Sequence, residues 1–302
     1  MAGGSVPRVV IVSRLTEYAG LLARHATREQ AKFFLETRGR SIDEVERRDH
    51  AQQAALTTVS AAIPAEWRRA RVERGDLDRF LFEPVDIVVT VGQSGLVANV
   101  AKYLDEQPVI GIDPEPSRDG GVLARHLPKQ AALLIRTAAS EHGAIEERTM
   151  VEAVLDDGQR VVALNEIFVG HRSHQSARYA LAWHGEHERQ SSSGIVVTTG
   201  TGATGWGRSI GMERHTTVEM PKPDDASLVF FVREAWPSPT FGVSMTEGLL
   251  GPNDELVIVS EMDDGGVVFG DGIEPDRVEF GWGVQALVRV AQRRLRLVGG
   301  AS

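Results

Sequence analysis

The segment Thr199-Gly200-Thr201-Gly202-Ala203-Thr204-Gly205-Trp206 gathers small residues and hydroxyls directly after the apolar run Gly194-Ile195-Val196-Val197-Thr198. Glycines let a backbone bend tightly and come close to a ligand, and successive amides in such a bend can face an anion. The pattern predicts a nucleotide or phosphate seat. An ordinary turn after a strand is the plainer reading of the same residues. A second candidate is Gly92-Gln93-Ser94-Gly95, between the β-branched run Pro84–Val91 and the helically spaced Leu96–Leu104. There a strand buried on both faces hands over to a helix N-terminus, a place where anions bind. A third is Asn165-Glu166, which closes the apolar run Val161–Leu164. An amide beside a carboxylate offers the donors and acceptors that grip ribose hydroxyls.

These residues need elements to hold them. The spacing predicts a strand over Arg8–Ser13 and a helix from Thr27 to Thr37, with Thr27 as N-cap, Gln30 completing a capping box and Gly39 ending it. A second helix is expected from Ser41 to Ala62, Glu44 reaching back to the cap. The arginines at 68, 69, 71 and 74 read as a solvated face, with the alternative that one or two of them point at phosphates. Strands over Val85–Val91 and Pro108–Ile112 complete a βαβ pattern and a parallel sheet. After a helix over Leu127–Ala139 the pattern changes to short strands broken by Gly, Asp and Pro: Thr149–Leu155, Arg160–Leu164, Ser176–Trp183, Glu188–Ser191, Leu228–Val232, Glu255–Ser260, Gly266–Phe269 and Gln285–Val290. That predicts an all-β second domain, with Met220–Asp225 as a loop.

With 302 residues the chain is long enough for two cores. Its formal charge of −9 argues against nucleic acid as the main partner, because backbone binding needs a basic surface. Zero cysteines exclude disulfides and thiolate chemistry. The start, Met1-Ala2-Gly3-Gly4-Ser5-Val6-Pro7, lacks the pattern of a secretion signal, and no apolar run is bilayer length, so the expectation is a cytoplasmic protein without a membrane partner. The pairs His171/His174 and His184/His187 have i, i+3 spacing, yet both fall in strand or turn segments, where that spacing points side chains apart. No protein-bound metal is expected.

Strand, glycine turn and helix, then Leu-Asn-Glu at 164–166, then Thr-Gly-Thr-Gly-x-x-x-Trp at 199–206, resembles the NAD kinases, in particular the branch that includes the mitochondrial enzyme of animals. Ser13–Tyr18, Gly111–Arg118, Val232–Ala235 and Gly270-Asp271-Gly272 look like further segments of that family. The resemblance implies an α/β, Rossmann-like N-terminal domain over 1–126, a β-rich NAD-binding domain over 127–275, and a segment 276–302 that returns to the first domain. It implies a homodimer using NAD or NADP and ATP, with Mg2+ carried by the nucleotide. It also implies that Gly92 and Gly95 meet phosphates, that Gln93 narrows the acceptor site, that Asn165 and Glu166 hold ribose, that Thr199, Thr201, Gly202 and Thr204 line the nucleotide site, and that Trp206 stacks on a base. The family's Gly-Gly-Asp-Gly, whose aspartate deprotonates the attacking ribose hydroxyl, reads Gly92-Gln93-Ser94-Gly95 here. A serine hydroxyl cannot take up a proton as a carboxylate does. Asp113 or Asp271 can stand in as base, or the hydroxyl attacks unassisted, since the transition state asks little of the nucleophile. Three readings stay open: a kinase for NAD or a related nucleotide, using ATP or polyphosphate; a non-catalytic NAD(P)-binding relic; and a kinase for another nucleoside or sugar.

Overall fold

The computed structural model describes residues 6–115, 121–140, 144–273 and 276–299; Met1–Ser5 and the expected motif residues Pro116, Ser117 and Arg118 lie outside them. The chain divides into two units, one of Met1–Glu146 with Arg296–Ser302, the other of Glu147–Leu295.

The first unit contains β1 (Arg8–Ser13), α1 (Glu17–His25), α2 (Arg28–Glu36), α3 (Ile42–Ala62), β2 (Arg68–Glu73), β3 (Asp86–Val91), α4 (Ser94–Ala101), β4 (Pro108–Ile112) and α5 (Ala131–Ala138). Its strands run β2-β1-β3-β4, all parallel. Every residue of β3 is buried, as a strand covered on both faces requires. Val9, Ile11, Val89 and Ile110 pack there with Val59 of α3 and Leu134 and Ile135 of α5. Thr27 caps α2 through the Gln30 amide at 3.2 Å. Ser41 caps α3 through Asp43 rather than Glu44. Sequence reasoning passed over α1, whose N-cap Thr16 accepts from the Ala19 amide at 3.2 Å. Three of the four arginines, at 68, 69 and 71, lie exposed on the edge strand β2, where their charges guard that edge against further pairing, and Arg74 follows the strand.

The second unit holds most of β5 (Ile145–Leu155), β6 (Arg160–Ala163), β7 (Glu166–His171), β8 (Ala177–Trp183), β9 (Glu186–Ser192), β10 (Ile195–Thr198), α6 (Trp206–Arg214), β11 (Leu228–Val232), β12 (Glu247–Leu250), β13 (Leu256–Ser260), β14 (Gly266–Gly270), β15 (Val278–Glu279) and most of β16 (Gln285–Val298). One antiparallel sheet has the order β12-β11-β10-β7-β14-β15. The other runs β16-β13-β8-β9, with β5 and β6 attached through β16. Between the sheets lie Ile167, Val169, Ile195 and Val197 from one side and Tyr179, Leu181, Leu256 and Ile258 from the other. Alternation then sends Phe168, Val196 and Val267 to the opposite face, where Ile210 of α6 covers them. The domain is therefore β-rich but not all-β.

Two expected boundaries move. The first unit extends to Glu146 because Ala131, Leu134 and Ile135 of α5 bury against its sheet. The returning segment begins at Arg296 rather than at 276, because the earlier part of β16 pairs with β13 and only Arg296 and Leu297 pair with Pro108 and Val109 of β4. No helix among the described residues is long and apolar enough to cross a membrane.

Candidate functional site

Thr199 organises the second unit's candidate site. Strand β10 delivers it opposite the start of β7, where Thr198 faces Glu166 in register. The Thr199 amide donates to Asn165 O at 2.9 Å and its hydroxyl donates to Leu164 O at 2.6 Å. That hydroxyl in turn accepts from the amides of Thr201 at 3.1 Å and Gly202 at 3.2 Å. From the other side comes Asp271, in the turn after β14: its Oδ1 accepts the Asn165 amide at 2.7 Å and its Oδ2 the Leu164 amide at 2.9 Å. The Asp271 amide donates to Glu166 O at 3.0 Å. Residues 164–166 are thus pinned by two strangers in sequence, and the structure brings Asn165, Glu166, Thr199, Thr201, Gly202 and Asp271 together.

Their roles differ from the expectation in two respects. The amides of Ala203, Thr204 and Gly205 donate to Thr199 O, Thr201 O and Gly202 O, so with 201 and 202 already bonded this ribbon closes on itself instead of offering a row of donors. Its Gly202 is required because a Cβ there would overlap Asn165 O. Asp271, expected as a substitute base, spends both oxygens on backbone amides and acts as a clamp. Two polar groups remain unspent. The Thr201 hydroxyl is buried without a partner. The Glu166 side chain is buried at 9% exposure, and that burial, with the Asp271 charge second, pushes its pKa up to about 8. The exposed Thr204 hydroxyl donates back to Thr201 O at 2.9 Å.

In the first unit, Gly92 holds φ at +155°, a conformation that L side chains rarely adopt, and Gln93 is the N-cap residue of α4. Ser94 follows as the first helical residue, its hydroxyl accepting from the amides of Leu123 and Ala124 at 3.2 Å each. The Gln93 side-chain Oε1 accepts from the Arg14 guanidinium at 3.2 Å. Asp113, just after β4, accepts the Glu115 amide at 3.0 Å. Gly92, Gln93, Ser94, Gly95 and Asp113 line one cleft of about 870 Å³ together with Arg14, Arg47 and Asp49. Sequence reasoning missed Arg47, whose pairing with Glu115 spans two elements and leaves no local pattern.

No protein-family model matches the sequence. The NAD kinase of Methanoregula boonei is 31% identical over 129 residues, 42% of this chain and 46% of that protein. The rat protein NAD kinase 2, mitochondrial, is 25% identical over 278 residues, covering 72% of this chain and 65% of its own. The chain thus spans less than two thirds of either relative. Among solved structures, the Archaeoglobus fulgidus NAD kinase in complex with ATP matches 97% of this chain and 93% of its own at a TM-score of 0.57 and 17% identity. Yeast NADH kinase complexed with NADH matches 99% and 85% at a TM-score of 0.62 and 13% identity. The fold is that of the NAD kinases.

On this NAD kinase fold the six-stranded sheet carries one more feature. Phe168, Val267 and Phe269 floor a pocket of about 460 Å³, walled by Trp206 and rimmed by Arg172, Arg233 and His174. Trp206 stacks with Phe168 at 6.1 Å between ring centroids, and the Arg233 guanidinium lies 5.4 Å from the Trp206 ring. Aromatic faces beside guanidinium groups suit a flat heterocycle bearing negative charge. Sequence reasoning found Trp206 but not its partners, since Phe168 and Phe269 are brought side by side by strand register alone. Among the described residues no three metal-ligating side chains converge. His184 sits in a turn at φ +50° and bonds Asp254.

Proposed function

We propose that this chain is an NAD kinase-like phosphotransferase that moves the γ-phosphate of ATP to a ribose hydroxyl of NAD or a related nucleotide or nucleoside. The observation that carries the proposal is the clamped Asn165-Glu166 pair: backbone bonds from Thr199 and Asp271 fix it while the Glu166 carboxyl and the Thr201 hydroxyl keep their hydrogen-bonding capacity for a ligand. Such fixed polar groups beside an aromatic, arginine-rimmed pocket match the needs of a nucleoside. The likeness to proteins named NAD kinase, and to structures holding ATP or NADH, supports the same substrate class.

In this reading Ser94 takes the position of the family's catalytic aspartate, Gln93 narrows the acceptor side, and Mg2+ enters with the nucleotide phosphates. Loss of a base at one position slows phosphoryl transfer without abolishing it, because positioning and charge stabilisation supply most of the rate. The chain works as a homodimer in the cytoplasm. A coupled assay for NADPH formation from NAD and ATP tests the reading. Turnover is expected in the wild type, and Ser94→Asp is expected to raise it roughly a hundredfold. Absence of turnover with NAD, NADH and a panel of nucleosides defeats the phosphotransferase.

A second reading, a non-catalytic NAD(P)-binding protein, is favoured by one observation: the Ser94 hydroxyl is already engaged by two backbone amides. Tight NADP binding in calorimetry, paired with silence in the coupled assay, selects it.

A further inference from the structure

Four of the side chains named above could accept a proton in a phosphoryl transfer, and three of them already accept backbone amides. Ser94 accepts two amides and has no basic character near neutral pH. Asp271 gives one oxygen each to Leu164 and Asn165. Asp113 caps its own turn at Glu115.

Glu166 is different. It opens β7, two residues before Phe168, so the two side chains share a face of the sheet and sit about 7 Å apart along the strand. That face carries the aromatic pocket, with Phe168 stacked on Trp206 and Phe269 paired beside it. Phe168 is the lining residue of β7 nearest Glu166, so a nucleoside stacked on Phe168 with its sugar turned toward the strand's start would present a hydroxyl to that carboxyl. Among the described residues no hydrogen-bond donor reaches the Glu166 carboxyl, and the charge that acts on it is Asp271, from the turn after β14. The residue opposite it on β10 is the neutral Thr198.

We propose that Glu166 is the catalytic base of this chain, accepting the proton of the attacking sugar hydroxyl. The inference rests on the phosphotransferase reading. The hydroxyl O–H bond breaks and its proton passes to the Glu166 carboxylate while the oxygen bonds to the γ-phosphorus of a nucleoside triphosphate. The bond from that phosphorus to the β–γ bridging oxygen breaks, and its electron pair leaves with the diphosphate. The proton then goes to solvent. Burial and the neighbouring Asp271 charge, which raise the Glu166 pKa to about 8, make its carboxylate a stronger proton acceptor than an exposed one.

The test is a pH–rate profile of NAD phosphorylation by ATP, run on the wild type, Glu166→Gln, Glu166→Asp and Asp113→Asn, with NAD affinity from calorimetry. The wild type is expected to gain kcat with pH up to a limb near 8. Glu166→Gln is expected to lose the limb and at least about a hundredfold in kcat, with Kd for NAD changed less than about tenfold. Glu166→Asp, which keeps a titrating group should the Gln variant fail to fold, is expected to retain a limb at reduced kcat. Wild-type kcat and an intact limb in either Glu166 variant overturn the inference while leaving the kinase reading in place. So does a limb erased by Asp113→Asn alone. A wild type that binds NAD and turns over no acceptor sinks the kinase reading and this inference together.

Discussion

The two glycine-bearing turns look alike in sequence and are built in opposite ways. In the second unit the Thr199–Gly205 ribbon is closed: the amides of residues 201–205 are consumed within it, and Gly202 is there because its own chain presses against it. In the first unit the Gly92–Gly95 turn is open: Gly92 is set by its φ, and no atom lies within 4 Å of where a Cβ on Gly95 would stand. Glycine and threonine in a row therefore report that a chain comes close to something, and only the structure says whether that something is a ligand or the protein itself.

The largest effect expected from this contrast is in the closed turn. Gly202→Ala places a methyl on the Asn165 carbonyl, which the Asp271 clamp prevents from yielding, so the cost should be about 3 kcal/mol or more. Thr199→Val removes a donor to Leu164 and an acceptor for two amides in a buried place, about 2–4 kcal/mol. Urea unfolding measures both. A Gly202→Ala protein with wild-type stability would show that the ribbon is open after all.

A pH dependence of comparable size also belongs to the second unit. Glu166 has its carboxyl raised from an ordinary 4.5 to about 8 by burial and by Asp271, so the folded protein holds a proton that the unfolded chain gives up earlier. Its contribution to stability is fully present below about 4.5, declines as pH rises, and is gone above about 8, a loss of up to about 5 kcal/mol. Thermal melts between pH 5 and 9 should show that decline, and Glu166→Gln should flatten it. A wild type and variant with parallel curves would mean that the carboxyl is solvated.

How far the sequence carried these conclusions depends on range. The strands at Arg8–Ser13 and Pro108–Ile112 and the caps at Thr27 and Ser41 were legible because apolar runs and capping residues act locally. Helix α6 was not: its Trp206-Gly207-Arg208-Ser209 start holds few helix formers, and what stabilises it is Ile210 packed on the sheet face of Phe168, Val196 and Phe231. At the site, Asn165, Glu166 and Trp206 stood out by type, while the clamp did not. Asp271 lies over a hundred residues from Asn165, and nothing in a Gly-Asp-Gly turn says that its carboxylate faces two distant amides. The arginine rim of the aromatic pocket, formed by Arg172, Arg233 and Arg277, is of the same kind, assembled from three separate stretches of chain.

The smallest effects test the open turn. Ser94→Ala leaves the Leu123 and Ala124 amides without their acceptor in a half-buried place, a cost of about 1 kcal/mol. Gly95→Ala should cost nothing: the added methyl meets no atom, the position lies in α4, and alanine is the better helix former by up to about 1 kcal/mol. A melting temperature equal to or slightly above wild type is therefore expected. Its value lies in a second measurement, ATP binding by calorimetry. If a phosphate approaches the backbone at Gly95, the methyl occupies that approach and weakens ATP binding in a protein that is otherwise as stable as before, which no packing argument explains. Stability and ATP affinity both at wild-type level would instead remove Gly95 from the phosphate seat and leave Gly92, with its constrained φ, as the glycine on which this turn depends.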